Sequence, residues 1–147
     1  MKLLTSENIS NHITDIIHAG TQQHERCMDL TVNNVERLTQ PGALDFGGSE
    51  FEAAGTESIT PQKKNAGDDY GWWKLESGTY QMICNETFSP DKDSLCFITP
   101  HEHAQKAGLV INTQILQSSG HHQHDGTRSG CRGAHQRECA GGGGVCV

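Results

Sequence analysis

The sequence is short of positive charge, of large aliphatic side chains and of long apolar runs. Its 147 residues carry 11 Lys and Arg against 18 Asp and Glu, a net charge of −7. Duplex-DNA binders normally present a basic footprint, so that class of partner is not expected. Leu, Ile, Val and Phe number 9, 9, 5 and 4, under a fifth of the chain. Such a composition borders on the range in which chains fail to bury a core. No apolar run approaches the roughly 20 residues that cross a bilayer as a helix, and no membrane partner is expected. The opening Met1-Lys2-Leu3-Leu4-Thr5-Ser6-Glu7 is too short and too polar for a secretory signal. These features read as a cytoplasmic chain of about one domain.

Six cysteines are present. Cys27, Cys84 and Cys96 sit among apolar residues in strand-like stretches, which reads as reduced, buried thiols. Cys131, Cys139 and Cys146 fall in a segment of different character.

Local patterns give an order of elements. Ser6 can cap a helix whose face is Ile9, Ile13, Ile16 and Ile17, with Gly20 to end it. From Met28 the period becomes two: Met28, Leu30 and Val32 alternate, Asn34 breaks the register, and Val35 and Leu38 follow. Pro41-Gly42 marks a turn. Residues 47–71 are polar and Gly-rich, and read as a long surface loop. Trp73 and Leu75, the turn Glu76-Ser77-Gly78, then Tyr80, Met82 and Cys84 read as a hairpin. Pro90-Asp91-Lys92-Asp93 supplies another turn, Leu95 to Thr99 a strand, and Pro100 its end. A helical turn over His101 to Lys106 precedes Gly108, and Leu109 to Leu116 is a last strand. Short strands, frequent turns and a peripheral helix predict a mainly β protein, a small barrel or sandwich.

Three stretches resemble the superfamily of trimeric dUTP nucleotidohydrolases and dCTP deaminases. Met28-Asp29-Leu30-Thr31-Val32 resembles its first core strand. Leu75-Glu76-Ser77-Gly78-Thr79-Tyr80, then Asn85-Glu86 and Pro90-Asp91, is similar to a second run. Pro100 to Leu109 falls where the family carries its Arg/Ser phosphate motif. Ala43-Leu44-Asp45-Phe46 resembles a segment of archaeal-type relatives, and the likeness spans residues 27–116. The resemblance implies a dUTPase-like β-barrel (β-clip) with an N-terminal helix, a homotrimer, a deoxynucleoside triphosphate as substrate and Mg²⁺ as cofactor. It implies hydrolysis of dUTP to dUMP and pyrophosphate, or deamination of dCTP. By position His101, His103, Lys106 and Gly108 become the substrate-binding candidates. The departures matter chemically. His101 stands at the motif arginine, Glu102 and His103 at its serines, and Lys106 at the second arginine. A neutral imidazole holds phosphate less strongly than a guanidinium. The following strand offers Thr113-Gln114-Ile115-Leu116-Gln117 and no carboxylate, so no catalytic residue is identified. A catalytically silent nucleotide-binding or scaffold protein is the alternative.

Residues 1–120 thus read as one domain, incomplete at its C-terminal end, and 121–147 as an irregular tail rich in Gly, His and Cys. The tail lacks Leu, Ile, Met, Phe, Trp and Tyr, so it cannot build a core. The fold implied above still needs at least two strands after Leu116, and a shifted reading frame accounts for that conflict. Cys131, His135 and Cys139 have zinc-ligand chemistry, but their spacing contains no paired Cys-x-x-Cys, and no metal ligand is assigned. His101 and His103 would share one face of a strand, and a solvated loop explains them as well. Asp68-Asp69 reads as a solvated pair, Gly47-Gly48 is too short for a phosphate loop, and Glu86 anchors a turn. Trp72-Trp73 either stacks a base or divides into one core-facing and one edge-facing ring.

Overall fold

The computed structural model describes residues 6–89, 91, 95–117, 130–136 and 145–146. In chain order these form α1 (Ser6–Ser10), β1 (Ile13–Thr14), α2 (Ala19–Gln22), β2 (Asp29–Leu30), β3 (Val32–Gln40), β4 (Ala43–Leu44), β5 (Phe51–Glu52) and β6 (Gly55–Ser58). They continue as β7 (Gly78–Cys84), β8 (Thr87–Phe88), β9 (Leu95–Pro100), α3 (Glu102–Lys106), β10 (Leu109–Ile111), β11 (Gln114–Gln117), β12 (Gly130–Gln136) and β13 (Val145–Cys146). The protein is mainly β, as its alternating pattern predicts.

Two larger antiparallel sheets carry the architecture, a five-stranded one in the order β10-β12-β7-β3-β6 and a four-stranded one in the order β11-β9-β13-β2. β2 and β3 are separated by Thr31 alone, so one extended stretch feeds both sheets. The two sheets share a core: Leu30, Cys96 and Ile98 from one, Val35, Tyr80, Met82, Cys84 and Leu109 from the other. Tyr80, Met82 and Cys84 alternate inward along β7, which is the half-buried strand signature. The register break at Asn34 is a bulge: pairing of β3 with β7 shifts between Val32 and Asn34.

Four expectations are corrected. The helix expected from Ser6 to Gly20 is two short helices with β1 between them. Ile13 and Thr14 are β-branched, pair with Phe88 and Thr87, and are followed by Asp15 at φ 62°, which no right-handed helix accepts. Gly20 lies inside α2 rather than at its end. The surface loop expected over 47–71 contains β5 and β6, and β6 pairs Glu57 with Arg37 and Thr56 with Leu38 on β3. Trp72 to Cys84 is not a hairpin, because β7 takes β3 and β12 as neighbours while Trp72 bridges to Gln62. The strand expected over Leu109 to Leu116 breaks at Asn112-Thr113 into β10 and β11, which belong to different sheets. Leu116 then packs on the core, and Ile115 stays 59% exposed.

The turn expected at Pro90 to Asp93 lies, except for Asp91, outside the described residues. So does most of the tail. Where residues of 121–147 are described they are strands rather than irregular backbone: β12 lies between β7 and β10, and β13 between β9 and β2. Backbone pairing runs, for example, Val110 to His135 and Val145 to Leu30. Cys84 and Cys96 are buried, Cys27 is half-buried, and these three are free thiols.

Candidate functional site

α3 and its flanks gather the residues singled out in the phosphate-motif position. Pro100 closes β9, and His101 in extended backbone (φ −66°, ψ 149°) caps the helix. His101 Nδ1 accepts from the His103 N–H at 3.0 Å, satisfying one amide that the first turn leaves open. With its lone pair at Nδ1 so engaged, the neutral ring carries its proton at Nε2. That nitrogen faces Asp29 Oδ2 at 3.8 Å, and His24 Nε2 reaches the same oxygen at 2.8 Å. The His101 and His103 rings meet edge to face with centroids 4.7 Å apart.

Ala104 and Ala107 fasten α3 to the core, leaving its outer side in water. There Lys106 Nζ lies 3.3 Å from Glu102 Oε1, one helical turn away. His103 Nε2 stands 3.7 Å from the same carboxylate oxygen. Gly108 follows at φ 82°, a left-handed turn that sends the chain into β10. The helical turn over His101–Lys106 and the turn at Gly108 therefore stand where the sequence puts them. His101, His103 and Lys106 come together at one corner, and Gly108 shapes it without offering a side chain.

Sequence reasoning did not assign His24 and Asp29 to this corner. His24 N–H bonds to the Cys27 carbonyl in a tight turn before β2, which brings its ring back over Asp29. No motif marks that turn; the only signal is an Asp on the outward register of the strand whose Leu30 points inward. The corner offers imidazole and ammonium donors, but Glu102 and Asp29 lie among them. An anion held there must displace Lys106 from Glu102 or enter beside it. Among the described residues no cluster of three or more His, Cys, Asp or Glu is placed to hold a metal ion. Among the described residues Asp29 is the carboxylate that His24 and His101 share, while His103 faces Glu102, and these scattered side chains alone do not build a magnesium site. Of the residues with zinc-ligand chemistry, Cys131 and His135 lie on β12 and Cys139 lies outside the described residues.

Glu86 does more than anchor a turn. It is 2% exposed, and its carboxylate accepts from Gln22 Nε2 at 2.6 Å, Thr31 N–H at 2.9 Å and Thr31 Oγ1 at 2.6 Å. Gln22 also donates to the Asp29 carbonyl at 2.9 Å. The network ties α2 to the strand that carries Asp29.

A cavity of about 870 Å³ opens on the inward side of β2. Leu30, Val35, Met82 and Leu109 line it from the sheets, and the segment 64–73 covers it. Trp73 packs against the core and donates from Nε1 to the Ile59 carbonyl at 3.0 Å, whereas Trp72 is 43% exposed. The pair thus divides into a core-facing and an edge-facing ring. Asp68 accepts from the Asn65 N–H at 2.9 Å, and these Asn65 bonds hold its carboxyl below the usual range.

No helix among the described residues is long and apolar enough to cross a membrane. No protein-family model matches the chain. A probable deoxyuridine 5′-triphosphate nucleotidohydrolase of Methanococcoides burtonii is 22% identical over 103 residues. That alignment takes in 70% of this chain, and the chain spans 57% of that relative's length. The likeness in sequence is thus to a dUTP-hydrolase-type protein, on a chain whose described strands make antiparallel β sheets.

Proposed function

We propose that this chain is a deoxynucleotide-handling protein that hydrolyses dUTP to dUMP and pyrophosphate, with deamination of dCTP as the second chemistry open to the same site. The observation that carries this reading is the convergence of His101, His103 and Lys106 on α3, in a chain whose similar protein is named for dUTP hydrolysis. His103 and Lys106 are exposed enough to meet a triphosphate. Lys106 brings the single full positive charge of α3, and His101 and His103 add imidazole donors. Gly108 lets the corner turn sharply beneath them.

In this reading the active form is a homotrimer, as the family resemblance implies, and it works in the cytoplasm. Mg²⁺ is the expected cofactor, although the described side chains do not complete a site for it, and no step is assigned to the ion. The catalytic residue stays unassigned, because Gln114–Gln117 on β11 contains no carboxylate. That same absence favours the second reading, a silent nucleotide-binding or scaffold relative. The change in character at His121 belongs to the proposal too, as the product of a shifted reading frame near Gly120. Sequencing the coding DNA there checks it: a one-base insertion or loss supports the shift, and an intact frame removes it.

The test incubates the chain with dUTP or dCTP, with and without Mg²⁺, and follows pyrophosphate and ammonia. Metal-dependent pyrophosphate from dUTP, diminished in Lys106→Ala, is the expected result. Nucleotide binding without turnover selects the silent relative. Neither binding nor turnover removes the reading.

A further inference from the structure

The cavity behind β2 has a chemistry unlike that of the α3 corner. Its size falls in the range of small-molecule pockets, and its deep lining is aliphatic. Tyr70, Trp72 and Trp73 bring aromatic rings to it, and Asp68 and Asp69 bring carboxylates. Asp68 is bonded to Asn65, but the Asp69 carboxylate makes no hydrogen bond or ion pair among the described residues. Among the described residues Lys64 is the one cation on the lining, and its Nζ stands 3.2 Å from the centroid of the Trp72 ring. The Trp72 face thus already accepts an ammonium from its own chain.

We infer that this cavity is a binding site for a small organic cation, an ammonium carried on an apolar or aromatic body. The body enters the aliphatic interior, while the ammonium meets the Trp72 face and the Asp69 carboxylate. Aromatic faces attract such cations, and two carboxylates against one ammonium leave the rim negative. A nucleoside triphosphate has the wrong charge for this rim, so the site is separate from the proposed nucleotide corner. Lys64 acts here as an internal competitor that a ligand must move aside.

Both tryptophans of the chain line the cavity, so intrinsic fluorescence reads it directly. The experiment titrates the full chain with benzyltrimethylammonium, and in parallel with the neutral benzyl alcohol. The cation should quench fluorescence and bind about tenfold more tightly than the alcohol. Lys64→Gln, a change at an exposed position, should tighten cation binding by roughly two- to fivefold by freeing the Trp72 face. Asp69→Asn should weaken it by a similar factor. Equal binding of the neutral alcohol overturns the inference and leaves an apolar gap. Weaker binding by Lys64→Gln also overturns it. So does competition by dUTP, which would make the cavity part of the nucleotide site. Self-association that buries both tryptophans, seen by sedimentation velocity, overturns it in favour of a second copy of the chain.

Discussion

A carboxylate buried to 2% exposure is held at Glu86 by three donors and, among the described residues, by no cation. Burying a charge is tolerable only when its oxygens are satisfied, and removing such a hub leaves the donors stranded. Glu86→Ala should therefore lower stability by about 2–4 kcal/mol. Glu86→Gln should lose less, and chemical denaturation checks both. At Cys96 burial pushes the thiol up to about 11. The folded chain keeps that proton after the unfolded chain has lost it. The stability it contributes is thus intact below the ordinary thiol range and falls as pH rises toward about 11. Native-state labelling with a thiol reagent at pH 8, mapped by peptide mass, should accordingly modify half-buried Cys27 before Cys84 or Cys96.

The positions of α3 and β10 depend on the left-handed turn at Gly108, where φ is 82°. A Cβ there meets backbone strain, so Gly108→Ala should cost about 1–2 kcal/mol. It should also shift the histidine resonances of α3, which a heteronuclear NMR spectrum would show. How far elements could be read from the sequence depended on burial. Tyr80, Met82 and Cys84 point to one face, and their alternation identified β7. Pro100, a polar turn and Gly108 bracketed α3 in the same way. Ile13 misled because an isoleucine at helical spacing also suits a strand, and its pairing with Phe88 decided the matter. β6 was hidden because its residues are half-buried to exposed and polar, so no hydrophobic period marks an edge strand that backbone bonds hold in place. In the site, the histidines and Lys106 are adjacent in sequence and could be found there. His24 and Asp29 meet them only through the fold.

Across the whole molecule, the described tail strands occupy interior places in both larger sheets. β12 joins β7 to β10, and β13 joins β9 to β2. Nothing in Gly130-Cys131-Arg132-Gly133-Ala134-His135-Gln136 announces a strand, since it lacks large apolar side chains; backbone pairing alone places it. A chain ending at Gln117 should leave β7 and β10 unjoined and lose its cooperative thermal transition, as circular dichroism would record. The nucleotide assignment rests on the molecule acting as a unit, with β2, β9 and β10 presenting α3 to a triphosphate. The most direct test is the thermal transition of the full chain with a non-hydrolysable dUTP analogue, for the native sequence and for Lys106→Ala. Stabilisation that grows with ligand concentration, and weakens in Lys106→Ala, is the predicted result. No shift in the native chain, or the same shift in both, would contradict a nucleotide site at α3.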